Sequence, residues 1–481
     1  MTIAHDTFYV GGTRRNPVST GRITVTSPNS GQVLGSVPDG APGDIDAAVA
    51  AARAAFDDPT GWSQWAPSKR AEAMERLADA LDERAPQLVQ AVSSQNGMPV
   101  AVAAQLEAAF PQLLLRYYAG LGREMSFDEN RPGLLGGSTL VSRVPVGVVG
   151  AIVPWNFPQA LAAFKYAPAL AAGCTLVIKP SPETVFDSYV LADAVDEAGI
   201  PPGVINIVPG GRELGAYLVA HPDIDKVAFT GSTAAGRNIA EVCGRMLRPV
   251  TLELGGKSAA IILDDAALDL SRIGEQLFGA TLLNNGQACY LGTRVLAPKA
   301  RYAEVVDVFT GLAASLTVGD SLDQATQIGP MVSEKQRERV ESYIAKGRGD
   351  GARITTGGGR PRGFEAGWFV EPTVFADVDN SCAIAQEEIF GPVLSVIAYD
   401  GDDEAVRIAN DSDYGLGGSV WTADHDRGVA LARRIRSGTV GINGYLPDPT
   451  APFGGVKASG LGRELGPEAL SAYLAPKSIY L

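Results

Sequence analysis

Histidine is the scarcest functional side chain in this sequence. The 481 residues hold three, His5, His221 and His425. None stands in a motif with a nucleophile or a second metal ligand, so a Ser-His-Asp triad or a zinc centre is hard to build. Cysteine is nearly as sparse. Cys174, Cys243, Cys289 and Cys382 are widely separated and form no C-x-x-C pair, so reduced thiols are expected, with no disulfide framework and no metal site. Apolar runs long enough to span a bilayer are lacking, and His5 and Asp6 fall where a secretory segment would need apolar residues. A cytoplasmic protein without membrane insertion is expected. No block of Lys and Arg with interleaved aromatics offsets the net charge of −14, which excludes nucleic acid as a natural partner.

What is present suits a globular enzyme. The chain is too long for one core, so two or three domains are expected, and 46% hydrophobic with 20% charged residues is ordinary globular usage. Apolar spacing predicts amphipathic helices over 45–56 and 68–92. From Arg143 short apolar runs alternate with helical ones: VPVGVVGAIVP, TLVIKP, GVINIVPG, KVAFTG, VTLELGG and SAAIIL. Runs apolar at every position fit strands covered on both faces, hence a parallel, doubly wound sheet. After Asp264 the runs TRVLAP, PVLSVIAY and GGSVWT, separated by charged helical stretches such as 334–346, predict a second α/β unit. A hinge near Gly255 to Ser258 would place Glu253 and Cys289 on either side of a cleft.

Four segments could carry chemistry, and the first three also have a plain structural explanation. Asn284-Asn285-Gly286-Gln287-Ala288-Cys289 puts a thiol on a loop between a helix and a strand, while Cys174 and Cys243, in Ala-rich helical contexts, read as packing residues; taken alone, Cys289 reads first as a buried structural cysteine. Thr251-Leu252-Glu253-Leu254 sets a carboxylate between two leucines, where burial raises its pKa, but a strand-end pairing with Lys257 would look the same. Phe229-Thr230-Gly231-Ser232-Thr233-Ala234-Ala235-Gly236 joins strand to helix and could receive a pyrophosphate or simply cap the helix; it is neither G-x-G-x-x-G nor a Walker loop. Pro154-Trp155-Asn156-Phe157-Pro158 is a rigid turn able to aim the Asn156 amide as an oxyanion donor.

In this order and at these separations, the four segments resemble the aldehyde dehydrogenase superfamily, a likeness running from about Tyr9 to about Ala475. Lys179-Pro180-Ser181, Glu387-Glu388-Ile389-Phe390-Gly391-Pro392, Pro452-Phe453-Gly454-Gly455-Val456-Lys457 and Ser459-Gly460-Leu461-Gly462-Arg463-Glu464 look like further motifs of the family. The resemblance implies an aldehyde dehydrogenase-like α/β fold: a Rossmann-type cofactor domain (1–126 and 144–256), an α/β catalytic domain (257–457), and a small β oligomerisation element with the C-terminal tail (127–143 and 458–481), assembling as a homodimer or homotetramer. It implies a Cys289 thiohemiacetal held by Asn156 and the Cys289 amide, then a thioester hydrolysed by water that Glu253 activates. Lys165 and Glu464 resemble a proton-relay pair, though a structural salt bridge is an equal reading.

The implied cofactor residues are Ile152, Pro154, Trp155, Lys179, Ser181, Glu183, Gly211, Phe229, Gly231, Ser232, Leu254, Glu388 and Phe390. Pro182 stands where many NAD-preferring members carry Glu, and the carboxylate follows at Glu183. NAD is the expected cofactor, with NADP left open. Ala160, Leu161, Phe164, Tyr290 and Phe453 should line the substrate side. Semialdehyde-oxidising relatives carry Arg at the Phe164 position, so an uncharged apolar or aromatic aldehyde is expected. CoA-acylating relatives lack the glutamate found at Glu253, which argues against that branch and, with Cys289 and Asn156 intact, against a non-catalytic binding protein.

Overall fold

A computed structural model describes residues 3–481. Its largest sheet has eight strands, in the order Gly460–Leu461, Val250–Glu253, Lys226–Thr230, Val148–Ile152, Thr175–Lys179, Ile205–Ile207, Phe8–Val10 and Thr13–Arg15. The five from Val250–Glu253 to Ile205–Ile207 run parallel. The sheet is therefore not wholly parallel as expected: antiparallel strands close both edges, at Gly460–Leu461 and at Phe8–Val10 with Thr13–Arg15.

Val148–Ile152, Thr175–Lys179 and Lys226–Thr230 are buried at every position, which explains their uninterrupted apolar character: helices cover both faces. The chain order reverses around Val148–Ile152, whose neighbours are Thr175–Lys179 on one side and Lys226–Thr230 on the other. A crevice opens at such a reversal, beyond the carboxyl ends of the strands, because the crossovers leave on opposite faces.

A second sheet of seven strands has Val393–Tyr399, Arg294–Pro298, Ala259–Ile262 and Gly418–Trp421 at its parallel centre. Five residues, 254–258, separate Glu253 in the first sheet from Ala259 in the second. A third, antiparallel sheet joins Asp128–Pro132, Ser138–Pro145 and Leu474–Tyr480. The 458–481 stretch thus divides. Gly460–Leu461 belongs to the first sheet, and only the last strand pairs with Ser138–Pro145.

Two local expectations need correction. The helix expected over 68–92 is two helices, Pro67–Glu83 and Ala85–Asn96. Pro86 has no N–H to donate and its ring excludes the carbonyl of the preceding turn, so the helix restarts there. Cys174 is not helical either. The Pro158–Ala172 helix stops at Gly173, whose φ of 97° ends it in the left-handed region, and Cys174 is already entering the next strand. Cys243 does lie in a helix, Thr233–Arg245, and both thiols are buried.

Candidate active site

The loop carrying Cys289 is pinned by its own amides. Asn284 and Asn285 adopt positive φ, 50° and 60°, a conformation Asn tolerates better than most residues. The Asn285 side chain donates to the carbonyls of Gly97 (2.9 Å) and Pro330 (3.0 Å) and accepts from the Gly329 amide (2.7 Å). Asn284 donates to the Asn156 carbonyl at 2.9 Å, and Gln287 accepts from the Val332 amide at 3.1 Å. From behind, the linker between the two sheets presses against Cys289: a Cβ on Gly256 would stand 2.2 Å from the Cys289 carbonyl oxygen, so only glycine fits there.

Two cavities meet at this loop. One, of about 290 Å³, opens at the sheet's reversal point and is lined by Pro154, Trp155, Thr230, Gly231, Ser232, Leu254, Gly255, Gln336, Arg339, Glu388 and Phe390. The other, about 60 Å³, is walled by Leu106, Phe110, Phe157, Ala160, Leu161, Phe164, Tyr290, Leu446, Pro447 and Phe453. Asn156 and Cys289 line both, and no other residue does. The Asn156 amide donates to the Gln287 carbonyl at 3.0 Å, which leaves its second N–H for another acceptor.

Glu253 ends its strand fully buried, and no hydrogen bond of good geometry reaches either carboxyl oxygen, although the Gly455 amide lies near enough to pull against its rise. The alternative of a pairing with Lys257 is absent among the described ion pairs. Burial, and then the charge of Glu464, push the Glu253 carboxyl well above the ordinary range, against the opposing pull of Lys165 and Arg463. Lys165 in turn donates to Glu464 (2.8 Å), to the Thr230 hydroxyl (2.6 Å) and to the Leu161 carbonyl (3.3 Å). Glu464 keeps its other oxygen unpartnered. The Cys289 thiol is driven up by burial and by the Glu388 and Glu253 charges, so it needs a base to become a nucleophile.

The expected cofactor residues fall into two groups. Pro154, Trp155, Gly231, Ser232, Leu254, Glu388 and Phe390 line the larger cavity. Glu388 accepts from the Gly256 amide at 2.9 Å, and burial lifts its carboxyl to about 7. Phe390, at a φ of 62°, packs edge-on against Trp155 at 5.2 Å while Gln336 donates to its carbonyl at 2.7 Å. Ser232 caps the Thr233–Arg245 helix, accepting from Ala235, so helix cap and cavity wall are one residue. Lys179, Ser181, Glu183 and Gly211 lie off this cavity. Lys179 is buried, donates to the carbonyls of Gly210 (2.7 Å) and Pro180 (2.9 Å), and is lowered to about 8 by burial. Ser181 donates to Glu183. Ile152 and Phe229 pack beneath with Leu254.

This cavity fits the nicotinamide and pyrophosphate part of a dinucleotide. It sits at the reversal point, the start of a 13-residue helix faces it, and Gly231 in its wall packs on the Phe229 ring, where a Cβ would stand 2.5 Å away, so the backbone there stays bare.

All five residues expected on the substrate side line the smaller cavity. Sequence reasoning missed Leu106, Phe110, Phe157, Leu446 and Pro447 there, and Thr230, Gly255, Gln336 and Arg339 in the larger one. Gln336 and Arg339 belong to a charged helix, Glu334–Gly349, whose pattern reads as a solvent face.

The chain matches the model of the aldehyde dehydrogenase family over residues 16–479. Geranial dehydrogenase of Castellaniella defragrans is 58% identical over 481 residues, covering 100% of each chain. Among solved structures, an aldehyde dehydrogenase of Mycobacterium tuberculosis complexed with NAD+ is 47% identical with a TM-score of 0.97, covering 100% of this chain and 99% of that one. A variant of aldehyde dehydrogenase C from Pseudomonas syringae, complexed with NAD+ and octanal, is 40% identical with a TM-score of 0.94, covering 99% and 96%. No helix among the described residues is long and apolar enough to cross a membrane. The chain belongs to the aldehyde dehydrogenase family, as an oxidoreductase that converts an aldehyde to its carboxylic acid with a nicotinamide dinucleotide.

Proposed function

We propose that the substrate is an uncharged, apolar aldehyde and that Cys289, Asn156 and Glu253 carry the reaction. One observation supports this above the rest: the two cavities share only Cys289 and Asn156, so an aldehyde from the apolar side and a cofactor from the other converge on a thiol and an amide. The smaller cavity has no charged residue in its wall, and burying a substrate carboxylate there unpaired would cost several kcal/mol. One relative is named for geranial and one solved structure holds octanal, both aldehydes without charge.

Glu253, buried and with a raised pKa, takes the Cys289 proton. The sulfur adds to the carbonyl carbon, and the oxygen, now an anion, accepts from the free Asn156 N–H and the Cys289 amide. Bound NAD supplies the hydride acceptor that leaves a thioester on Cys289. Once Glu253 has passed that proton on, it deprotonates water for attack on the acyl carbon; the C–S bond breaks, the acid departs and the thiolate takes a proton back. Glu464, with one oxygen free, is the next acceptor for the Glu253 proton, and Lys165 holds it in place.

Glu388 and Phe390 hold the nicotinamide ribose and ring, Ser232 and its helix the pyrophosphate, and Lys179 with Glu183 the adenosine ribose. The Glu183 carboxylate favours NAD over NADP by repelling a 2′-phosphate. Residues 1–126 and 144–256 form the cofactor unit, 257–457 the catalytic unit, and 127–143 with the last strand an element for homodimer or homotetramer assembly. Leu134, Leu135, Tyr480 and Leu481 are exposed on that element, an apolar edge that a second subunit would cover. A cytoplasmic location goes with four free cysteines among the described residues.

Octanal, geranial, benzaldehyde and succinate semialdehyde assayed with NAD and NADP in parallel test the reading. Highest kcat/KM for an uncharged aldehyde with NAD is expected. A preference for succinate semialdehyde would overturn the pocket assignment, and a preference for NADP the cofactor assignment.

A further inference from the structure

The Pro158–Ala172 helix begins two residues after Asn156 and is buried along its whole length. A buried helix start must satisfy its first amides, and this one has no cap of its own: its N-cap residue is Phe157, which offers no side-chain acceptor. Pro158 has no N–H, so the amides of Gln159 and Ala160 are the ones at issue. Both are taken by a side chain 52 and 53 residues away in sequence. Glu107, fully buried, accepts from Gln159 N at 2.7 Å with one oxygen and from Ala160 N at 3.4 Å with the other.

Glu107 lies on a single π-helical turn, Ala104–Ala109, an irregularity that widens the helix locally and turns side chains out of ordinary register. The residue before it, Leu106, and the one after that turn, Phe110, both line the apolar cavity, as do Ala160, whose amide it binds, and Leu161. The same corner is tied down on its far side. Gln159 donates to Asp187 at 2.6 Å, and Gln95 donates to the other oxygen of Asp187 at 2.6 Å. Asn96 donates to the Trp155 carbonyl at 2.6 Å, and Asn284 to that of Asn156. The 154–158 turn is thus held by hydrogen bonds from several distant segments, and Glu107 is the one carried on the stretch that also places Leu106 and Phe110 in the substrate wall. Burial and the Asp187 charge push its carboxyl well above the ordinary range, opposed by the two amides.

We propose that Glu107 is a positioning residue for Asn156: from the same stretch that carries Leu106 and Phe110 of the apolar wall, it supplies the cap lacking in the helix that follows Asn156, and so ties the aim of the carbonyl donor to the wall that grips the substrate. The inference rests on the oxyanion role proposed for Asn156. It makes Glu107 important to the rate although it touches neither cofactor nor reacting atoms.

The test is a cycle of Glu107→Met, Asn156→Ala and the double variant, read as the pre-steady-state rate of NADH formation from octanal at saturating NAD, with melting temperature and burst amplitude recorded. Glu107→Met fills the same space without an amide acceptor. Its burst rate should fall about tenfold, the effect of a carbonyl donor slightly out of line, with KM for NAD unchanged. Glu107→Gln, which keeps one carbonyl acceptor, should recover part of the loss. In the Asn156→Ala background the Glu107 substitution should cost nothing more. A lower melting temperature and smaller burst amplitude with an unchanged burst rate would reduce Glu107 to a structural residue and overturn the inference, as would full additivity in the double variant. Should Glu107→Met fail to fold, Glu107→Gln takes its place in the cycle with the same criteria. If Asn156→Ala alone leaves the rate intact, the oxyanion reading fails first and this inference with it; if only the Glu107 variants are silent, the oxyanion reading stands and this inference falls.

Discussion

Two glutamates flank Cys289, and their surroundings differ in one decisive respect. Glu388 accepts a hydrogen bond from Gly256 and sits in the wall of the larger cavity, its carboxyl near 7. Glu253 lines neither cavity, no hydrogen bond of good geometry reaches either of its oxygens, and burial beside the Glu464 charge raises it well above the ordinary range. A carboxyl held by a donor is aimed and suits binding. One left without a well-aligned donor, beside a second carboxylate, has a pKa free to follow the proton it must carry.

Exchanging each for its amide breaks this contrast most sharply at Glu253. Glu253→Gln should lower steady-state acid formation by about 10²–10⁴-fold, measured as acid released by chromatography; unaltered acid formation would remove Glu253 as the base. Asn156→Ala, which spares both carboxyls, should cost about 10²–10³-fold in kcat, with KM for NAD as an internal control. Across substrates, octanal should exceed succinate semialdehyde in kcat/KM by at least about a hundredfold, since about 3 kcal/mol of unpaired burial separates them. The smallest effect belongs to Glu388. Its carboxylate form is the better acceptor for ribose hydroxyls and is populated above about 7, so KM for NAD should fall as pH rises through that value. Glu388→Gln should give a KM about tenfold higher and flat with pH. A pH-dependent KM surviving in that variant would assign the titration to another group.

Much of the scaffold was legible because strands buried on both faces read as unbroken apolar runs; Val148–Ile152 and Lys226–Thr230 are examples. The residues set on those strands' ends or in Gly- and Pro-marked turns, Glu253, Ser232 and Asn156, were therefore placeable. Pro86 was equally visible and should have divided the 68–92 helix, but the apolar spacing continues across it and masked the break. Cys174 was misplaced because the Ala-rich run ahead of it ends only at Gly173. Leu446, Pro447, Gln336 and Glu107 left no signal: each reaches its cavity or helix through contacts between distant segments, and no local period records those. Glu107 carries a further disguise, since a lone carboxylate in an Ala-rich helical stretch reads as a solvent-facing residue and proves fully buried.

Gly256 carries a mechanical consequence. Because the linker between the two sheets touches the carbonyl of Cys289 itself, with no room for a side chain between them, the nucleophile rides on the joint instead of on either lobe. Flexing of the two halves would then widen or narrow the space for cofactor and aldehyde about a contact that lies only three residues past Glu253, at the end of its first-sheet strand.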